Sequence, residues 1–402
     1  MPRSVYVLAF GIFAMVTSEF AVAGLMPQMA RGLGATIPQI GYLITAFAAA
    51  MAVGGPFMTV AVSRLRPRDA LMTLFAVFLA GNVLAAVAPS YPVMMAARII
   101  TGVASQAFFG VTVSLAVRLA RPEVRGRAIA VVMNGLMVGT LLGLPLSTMI
   151  GERFGWRAAF WAVGALTLVA APATLWGVPR AGRDDGGVEG EGLRGQFAVF
   201  RGGRLLSAFL TSTLIIGATF SAFSYLNPIL TGLAGFATGT VPYLLVAYGA
   251  ATVAGNHVVG RLADRHTIAV QVYGLALNAV FLAGFALLAH VNVAAVTFML
   301  GVGLVGVTMN PAMVTRVQRA GNAGPLVNTV HSSFITLGVI VGSSGGGLAI
   351  DAYGLRAPLW LGAALAVLGL LTLLPERGRG RASRRRRAAT EPGTAKAPLP
   401  PA

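Results

Sequence analysis

The sequence predicts an all-α membrane protein whose twelve spanning helices form two pseudo-symmetric bundles of six. The chain of 402 residues is 56% hydrophobic and only 10% charged, a composition that soluble globular domains do not have. Its apolar residues fall into runs of about 18 to 27, which at about 1.5 Å per residue can cross a hydrocarbon core of about 30 Å. An internal repeat divides the chain in two.

Six expected spans precede a polar stretch and six follow it. The first six are residues 5–26, 38–62, 70–88, 92–118, 127–150 and 157–178. The second six are residues 205–232, 241–262, 268–290, 292–313, 325–349 and 355–375.

The repeat is clearest after the fifth span of each half. Residues 152–161 read Glu-Arg-Phe-Gly-Trp-Arg-Ala-Ala-Phe-Trp and residues 351–360 read Asp-Ala-Tyr-Gly-Leu-Arg-Ala-Pro-Leu-Trp, an offset of 199. The repeat predicts one bundle at 1–178 and a second at 204–376, joined by a flexible, Gly-rich and charged linker at 179–203. Parallel halves of six spans are typical of alternating-access carriers.

Arginines are concentrated in the loops on one side of the predicted membrane. The positive-inside rule places those loops and both termini in the cytoplasm, so the net charge of +18 mostly reflects topology. The basic tail at 377–402 is expected to be disordered and to attract anionic lipid headgroups rather than nucleic acid. With 29 arginines against a lone Lys396, the chain is typical of a GC-rich bacterium, and we expect a monomer in the inner membrane.

Short motifs recur in the spans and in the loops between them. They are Thr17-Ser18-Glu19-Phe20, Gly55-Pro56, Arg98 with Gly102, Asn134-Gly135 with Gly139, Gly143 and Pro145, Tyr225-Leu226-Asn227-Pro228, Gly260-Arg261-Leu262-Ala263-Asp264-Arg265, and Asn328. Over about residues 5–375 the chain resembles the major facilitator superfamily, and within it the 12-span drug:proton antiporters, most closely chloramphenicol-efflux and arabinose-efflux-type permeases. The resemblance implies the major facilitator fold and antibiotic resistance by export of small amphipathic drugs against protons.

The loop after the second span departs from the family pattern. An Asp normally precedes its basic residues, but here Ser63 precedes Arg64 and Arg68. The second-half copy keeps Asp264 beside Arg265. The gating ion pair that the family forms between helix ends is therefore expected on one side only.

Glu19 is the one carboxylate set well inside a predicted span, and a charge at that depth is a functional site by default. Counting residues places Glu19 and Arg98 at about 10 Å and about 9 Å from the same outer face. Desolvation favours a protonated carboxyl group and a nearby arginine favours the ionised form, so a moving Arg98 would switch proton binding. The alternative is a permanent ion pair that only joins two helices.

Glycines repeat every fourth residue in the fifth and eleventh spans, at Gly135, Gly139 and Gly143 and at Gly338, Gly342 and Gly346. Small faces let helices pack closely. Plain tight packing is one interpretation. The sharper one places these bendable faces between the halves, where with Pro145 they hold the outward seal.

The substrate cavity is expected to be apolar with a few polar groups. Its candidate contacts are Phe20, Gln106, Asn134, Phe223, Tyr225, Asn227, Asn328 and His331. His331 is equally well explained as a hydrogen-bond donor or second proton site in the cavity and as a contact between helices. A neutral, aromatic, chloramphenicol-like compound suits one acidic group, whereas a sugar or small metabolite is the nearest alternative and would need more amides and hydroxyls.

Other classes of protein find little support in the sequence. Without cysteine the chain forms no disulfide or thiolate site, and its four histidines lack metal-ligand spacing, so we expect no metal and no cofactor. A P-loop needs lysine after glycine, but Lys396 follows Ala395. A receptor or an enzyme would need a sensor domain or catalytic group that the sequence does not offer. Whether protons or sodium ions drive transport stays open.

Overall fold

The computed structural model describes residues 3–121, 124–179, 202–321 and 325–390. Every regular element within these ranges is a helix, which confirms the all-α prediction. The first half contains α1 (Arg3–Leu33), α2 (Ile37–Val62), α3 (Pro67–Val87), α4 (Tyr91–Leu119), α5 (Arg125–Phe154) and α6 (Trp156–Gly177). The second half contains α7 (Gly203–Gly232), α8 (residues 241–264), α9 (Arg265–Leu288), α10 (Asn292–Ala320), α11 (Pro325–Tyr353) and α12 (Ala357–Thr390).

The helices match the predicted spans one for one. Eleven stretches in the described ranges are long and apolar enough to cross a membrane, and α8 occupies the place of the twelfth. The loop expected between α8 and α9 is instead helical, because the chain is continuous over Val241–Leu288 apart from His266, whose φ of −129° and ψ of 37° make a kink. His266 is therefore in a helix kink, not in a loop.

Two interruptions within spans lie shortly before a proline. It lacks an N–H group and its ring collides with the carbonyl four residues earlier. Accordingly α2 contains a π-helical turn at Ala50–Gly54 just before Pro56, and α7 breaks at Ser224 and Tyr225, ahead of Pro228. Such π turns are frequent at functional sites.

The expected linker and tail are described only in part. Residues 180–201 of the linker and 391–402 of the tail lie outside the described ranges. Residues 377–390, expected to be disordered, continue α12 as a helix to Thr390. Alanine and arginine are among the best helix formers, which accounts for the difference.

The repeat has a common geometry at the joint between its last two helices. Gly155 ends α5 with a φ of 83°, and Gly354 ends α11 with a φ of 78°. These left-handed conformations favour glycine. The two repeated motifs therefore form the same turn.

The glycine faces pack within each half. A β-carbon at Gly139 would lie 2.9 Å from that of Val16 on α1, and one at Gly342 would lie 2.5 Å from the carbonyl oxygen of Gly217 on α7. Equivalent close approaches to the same two helices occur at Gly135, Gly143, Gly338 and Gly346. The glycines thus let α5 approach α1 and α11 approach α7, which supports tight packing, of the two interpretations, over a position between the halves.

Candidate functional site

A cavity of about 350 Å³ lies between the two halves and is bordered by α1, α2, α4 and α5 on one side and α7, α8, α10 and α11 on the other. We call the end of the bundle where α1 begins the terminal face and the opposite end the far face. Ile12 of α1 and Ser332 of α11 border the cavity about 10–15 Å from the terminal ends of their helices. The cavity therefore occupies the terminal half of the protein.

The halves meet on the other side of the cavity, at a far-face seal formed by Gly24, Thr45, Tyr225, Asn227 and Ser343. Asn227 donates from Nδ2 to the carbonyl oxygen of Gly24, and the hydroxyl oxygens of Thr45 and Ser343 are 2.8 Å apart. The Tyr225 hydroxyl donates to the carbonyl oxygen of Ser343 at 2.6 Å. The protein is therefore closed at the far face in this conformation.

Arg98 and Glu19 lie next to each other at the end of the cavity nearer the far face. Arg98 is fully buried and donates to the carbonyl oxygens of Ser18 at 3.0 Å and Glu19 at 3.2 Å. Its guanidinium lies 4.2 Å from the ring centroid of Phe47. None of its hydrogen bonds among the described residues goes to the carboxylate of Glu19, which borders the cavity.

An aromatic cluster spans the halves beside Glu19. Phe20 of α1 packs edge-on against Phe223 of α7, with ring centroids 5.7 Å apart, and lies 6.5 Å from Phe220. Phe223 in turn stacks on Tyr248 of α8 at 5.5 Å. The cluster (Phe20, Phe220, Phe223 and Tyr248) offers apolar faces to a ligand, and the Tyr248 hydroxyl is buried without a hydrogen-bond partner among the described residues.

The structure brings only some of the predicted substrate contacts to the cavity. Phe20, Gln106 and Phe223 border it. Tyr225 and Asn227 belong to the far-face seal. Asn227 donates across to Gly24, whereas the Tyr225 hydroxyl donates to Ser343 of its own half and lies against Gly41 of α2. Asn134 is exposed on α5, about half a turn nearer the terminal face than Leu136, the first residue of that helix that borders the cavity.

His331 joins helices of the second half. Its Nε2 lies 2.9 Å from the hydroxyl oxygen of Ser212, and its ring stacks on Phe209 at 6.0 Å. The side chain is 2% exposed and does not border the cavity. Of the predicted roles for His331, the structure supports the contact between helices.

The predicted gating residues do not lie together in the structure. Pro145 borders the cavity, and Arg64 and Arg265 are exposed at the terminal ends of α2 and α9, with Arg68 half-buried at the start of α3. The side chains of Asp264 and Asn328 lie outside the described part of the chain.

Much of the polar lining escaped sequence reasoning. The missed residues are Ser105, Thr140, Tyr248, Thr252, Asn256, Thr308, Asn310, Ser332 and Thr336. The helices are apolar on all sides, so hydrophobic periodicity does not reveal which face meets a cavity. One regularity of the sequence could have indicated a cavity face. On α5, the cavity residues Leu136, Thr140 and Leu144 each follow a glycine of the packed face by one position.

Comparison with known families identifies the chain's relatives. Residues 8–335 match the family model of the Major Facilitator Superfamily. The chain belongs to this superfamily. It is 34% identical over 383 residues to a chloramphenicol resistance protein of Streptomyces lividans, covering 94% of this chain and 97% of that protein. It is also 33% identical over 366 residues to the inner membrane transport protein YdhP of Escherichia coli K12, covering 90% and 93%.

Solved major facilitators share the fold. A bacterial homologue of the human lysosomal transporter Spinster, in an inward-facing and occupied conformation, superposes with a TM-score of 0.76 at 15% identity, covering 92% of this chain and 96% of that one. A D-xylose-proton symporter gives a TM-score of 0.76 at 14% identity, with the same coverage. This major facilitator is therefore a multi-pass membrane transporter and not an enzyme.

Proposed function

We propose that this major facilitator exports small, amphipathic, chloramphenicol-like compounds in exchange for protons by alternating access. The observation that carries the proposal is the position of Glu19 beside the buried Arg98: it borders the cavity, and the other described residues of the lining are uncharged. A carboxyl group reached both by substrate and by the proton is what an exchanger requires.

The exchange rests on competition at Glu19. Desolvation favours its protonated form, whereas the nearby Arg98 favours its ionised form. A drug that enters from the terminal face occupies the space beside the carboxyl group and promotes loss of the proton. The far-face seal then parts, the drug leaves, and a proton from the far side binds Glu19 and returns the carrier.

The lining favours an aromatic substrate of low charge. Phe20, Phe220 and Phe223 supply faces for ring stacking, and Gln106 supplies a hydrogen-bonding amide. A single carboxyl group would leave a multiply charged cation without partners. The relative named for chloramphenicol resistance supports the same class of compound.

A sugar or small-metabolite exporter is the second candidate. It is favoured by one observation, the row of amides and hydroxyls on the terminal side of the cavity: Gln106, Thr252, Asn256, Asn310, Ser332 and Thr336. Such groups suit a polyhydroxylated ligand better than an aromatic drug.

The same proposal places the protein in a bacterial inner membrane as a monomer, with the terminal face and both termini in the cytoplasm. The clustered arginines of the loops support this orientation. The basic end of α12 would then meet the anionic headgroups of the cytoplasmic leaflet.

The decisive test is export of chloramphenicol and a panel of amphipathic drugs from cells, with the proton gradient intact or collapsed. We expect gradient-dependent export by the wild type and by Glu152→Gln, a matched change outside the cavity, and loss of it in Glu19→Gln. Full gradient-driven export by Glu19→Gln would exclude Glu19 as the proton carrier. Export of sugars but of no drug would favour the second candidate.

A further inference from the structure

A small void lies next to the main cavity, with about 10 Å³ of room for the centre of a water molecule. A buried water needs about 10–15 Å³ of such space. Six residues border both spaces and form a partition one side chain thick: Glu19, Phe20, Ala48, Phe220, Phe223 and Val339. The remaining walls are Ala23, Ile44, Phe47 and Ser224, each nearer the far face along its helix.

Ser224 is the polar residue of the far wall. It is 1% exposed, and its hydroxyl oxygen has no hydrogen-bond partner among the described residues. It lies where α7 breaks, because Pro228 cannot donate to the Ser224 carbonyl. A buried hydroxyl group thus lies beside the void at the break, and a buried hydroxyl without a partner is destabilising.

Among the described residues that line the void, Glu19 supplies the only carboxyl group, and the others apart from Ser224 are apolar. The two polar groups come from opposite halves of the protein, α1 and α7. Arg98 of α4 is the charged neighbour of Glu19, and its guanidinium lies over the ring of Phe47, one of the walls of the void.

We propose that the void binds one water molecule that bridges the carboxyl group of Glu19 and the hydroxyl group of Ser224, and that this bridge holds the far face closed while Glu19 is ionised. A hydrogen bond to a carboxylate is about twice as strong as one between neutral groups. The bridge is therefore tight in the ionised form and weak once Glu19 is protonated. A drug that displaces Phe20 or Phe223 breaks the partition and has the same effect.

The bridge meets a requirement of exchange. A carrier that has neither drug nor proton must not change face, because that step would dissipate the gradient. The water bridge locks this unloaded form. The inference rests on the proposed role of Glu19 and adds the group that senses its charge across the interface between the halves.

The absence of cysteine allows a direct test. Thr45→Cys places a single thiol in the far-face seal, and a membrane-impermeant maleimide added at the far face reports opening in alkaline, drug-free vesicles. Adding Ser224→Ala or Glu19→Gln should each raise the labelling rate about tenfold, as expected for loss of one charge-assisted hydrogen bond. Ser224→Thr keeps the hydroxyl and should label like the Thr45→Cys parent.

The combination of Ser224→Ala with Glu19→Gln should label no faster than either alone, because both changes remove the same bridge. Unchanged labelling in Ser224→Ala, or multiplied rates in the combination, would overturn the proposal. If Ser224→Ala fails to fold, the other two variants still decide. The bridge is supported if Ser224→Thr labels as slowly as the parent while Glu19→Gln labels fast, and it is overturned if Glu19→Gln also labels slowly. The assay needs no drug and no gradient, so failed export with the expected labelling pattern would reject the proposed substrate and leave the bridge standing.

Discussion

Arg98 holds the main chain of α1 at Glu19, with 3.2 Å between its guanidinium and the Glu19 carbonyl oxygen, while the Glu19 side chain faces the cavity. One buried cation thus fixes the backbone beside the proposed proton site without occupying the carboxylate. A second donor arm reaches the carbonyl of Ser18 at 3.0 Å. The position of the carboxyl group therefore depends on the fork shape of arginine.

Arg98→Lys should destabilise the protein and abolish gradient-driven export. A lysine ammonium cannot hold both carbonyls in this geometry, and a lost hydrogen bond to a charged group costs about 1.5–3 kcal/mol. Thermal unfolding in detergent measures the change, and Arg64→Lys, an exposed site, provides the control. Wild-type stability and export in Arg98→Lys would show that charge alone suffices.

Gly139→Ala should lower thermal stability, and Gly139→Leu should abolish transport with the protein still in the membrane. The added β-carbon would lie 2.9 Å from that of Val16, which forces α5 away from α1. Gly110→Ala is the matched control, since a β-carbon there meets no atom within 4 Å. Its stability should equal or exceed that of the wild type by up to about 1 kcal/mol. Equal melting of Gly139→Ala and wild type would contradict the close packing.

Thr45→Cys combined with Ser343→Cys should form a disulfide that stops export. The two hydroxyl oxygens are 2.8 Å apart across the seal, so sulfur atoms at these positions come close to bonding distance. Export should return on reduction, because the far face can then open. Each single cysteine variant should be unaffected by oxidant, and continued export by the oxidised pair would mean that this seal does not part during transport.

Tyr248→Phe should leave stability unchanged or raise it by about 1 kcal/mol, since it removes a buried hydroxyl that has no partner among the described residues. Tyr248→Ala should be destabilising, because the stacking on Phe223 is lost. Melting temperatures of the two variants distinguish these effects. A clear loss of stability in Tyr248→Phe would reveal a hydrogen bond of that hydroxyl.

Phe223→Leu should weaken binding of aromatic drugs several-fold, whereas Phe223→Tyr should keep most of it. Ring stacking beyond simple burial is worth about 0.5–1.5 kcal/mol, and leucine fills the space without a ring. Binding to purified protein, measured by calorimetry, checks this without any gradient. Equal affinities of wild type and Phe223→Leu for aromatic drugs would favour a ligand held by the polar side of the cavity.

Sequence reasoning was most successful where composition and counting suffice. Apolar runs predicted the spans, and residue counting placed Glu19 and Arg98 at one depth, where the structure has them. It could not decide between alternatives where the outcome depends on tertiary packing. The sequence left two interpretations of the glycine face of α5, and its close approach to α1 supports tight packing within the first half.

Some side chains were misplaced because a helix break redirects them. Tyr225 and Asn227 looked like ligand contacts, but the interruption before Pro228 turns them into the seal. Periodicity assumes an unbroken helix and cannot report such a change of direction. The same break left Ser224 buried, and nothing in the local sequence indicates which group it faces.

The location of the cavity has an electrical consequence. Under the proposed exchange, water from the terminal face reaches Glu19, so in this conformation the membrane voltage would fall between that carboxyl group and the far face. When the far face opens instead, the Glu19 carboxyl group is at the electrical potential of the other compartment. A charge on Glu19 that hardly moves in space is thereby carried across most of the voltage, which is worth about 2.3 kcal/mol for each 100 mV.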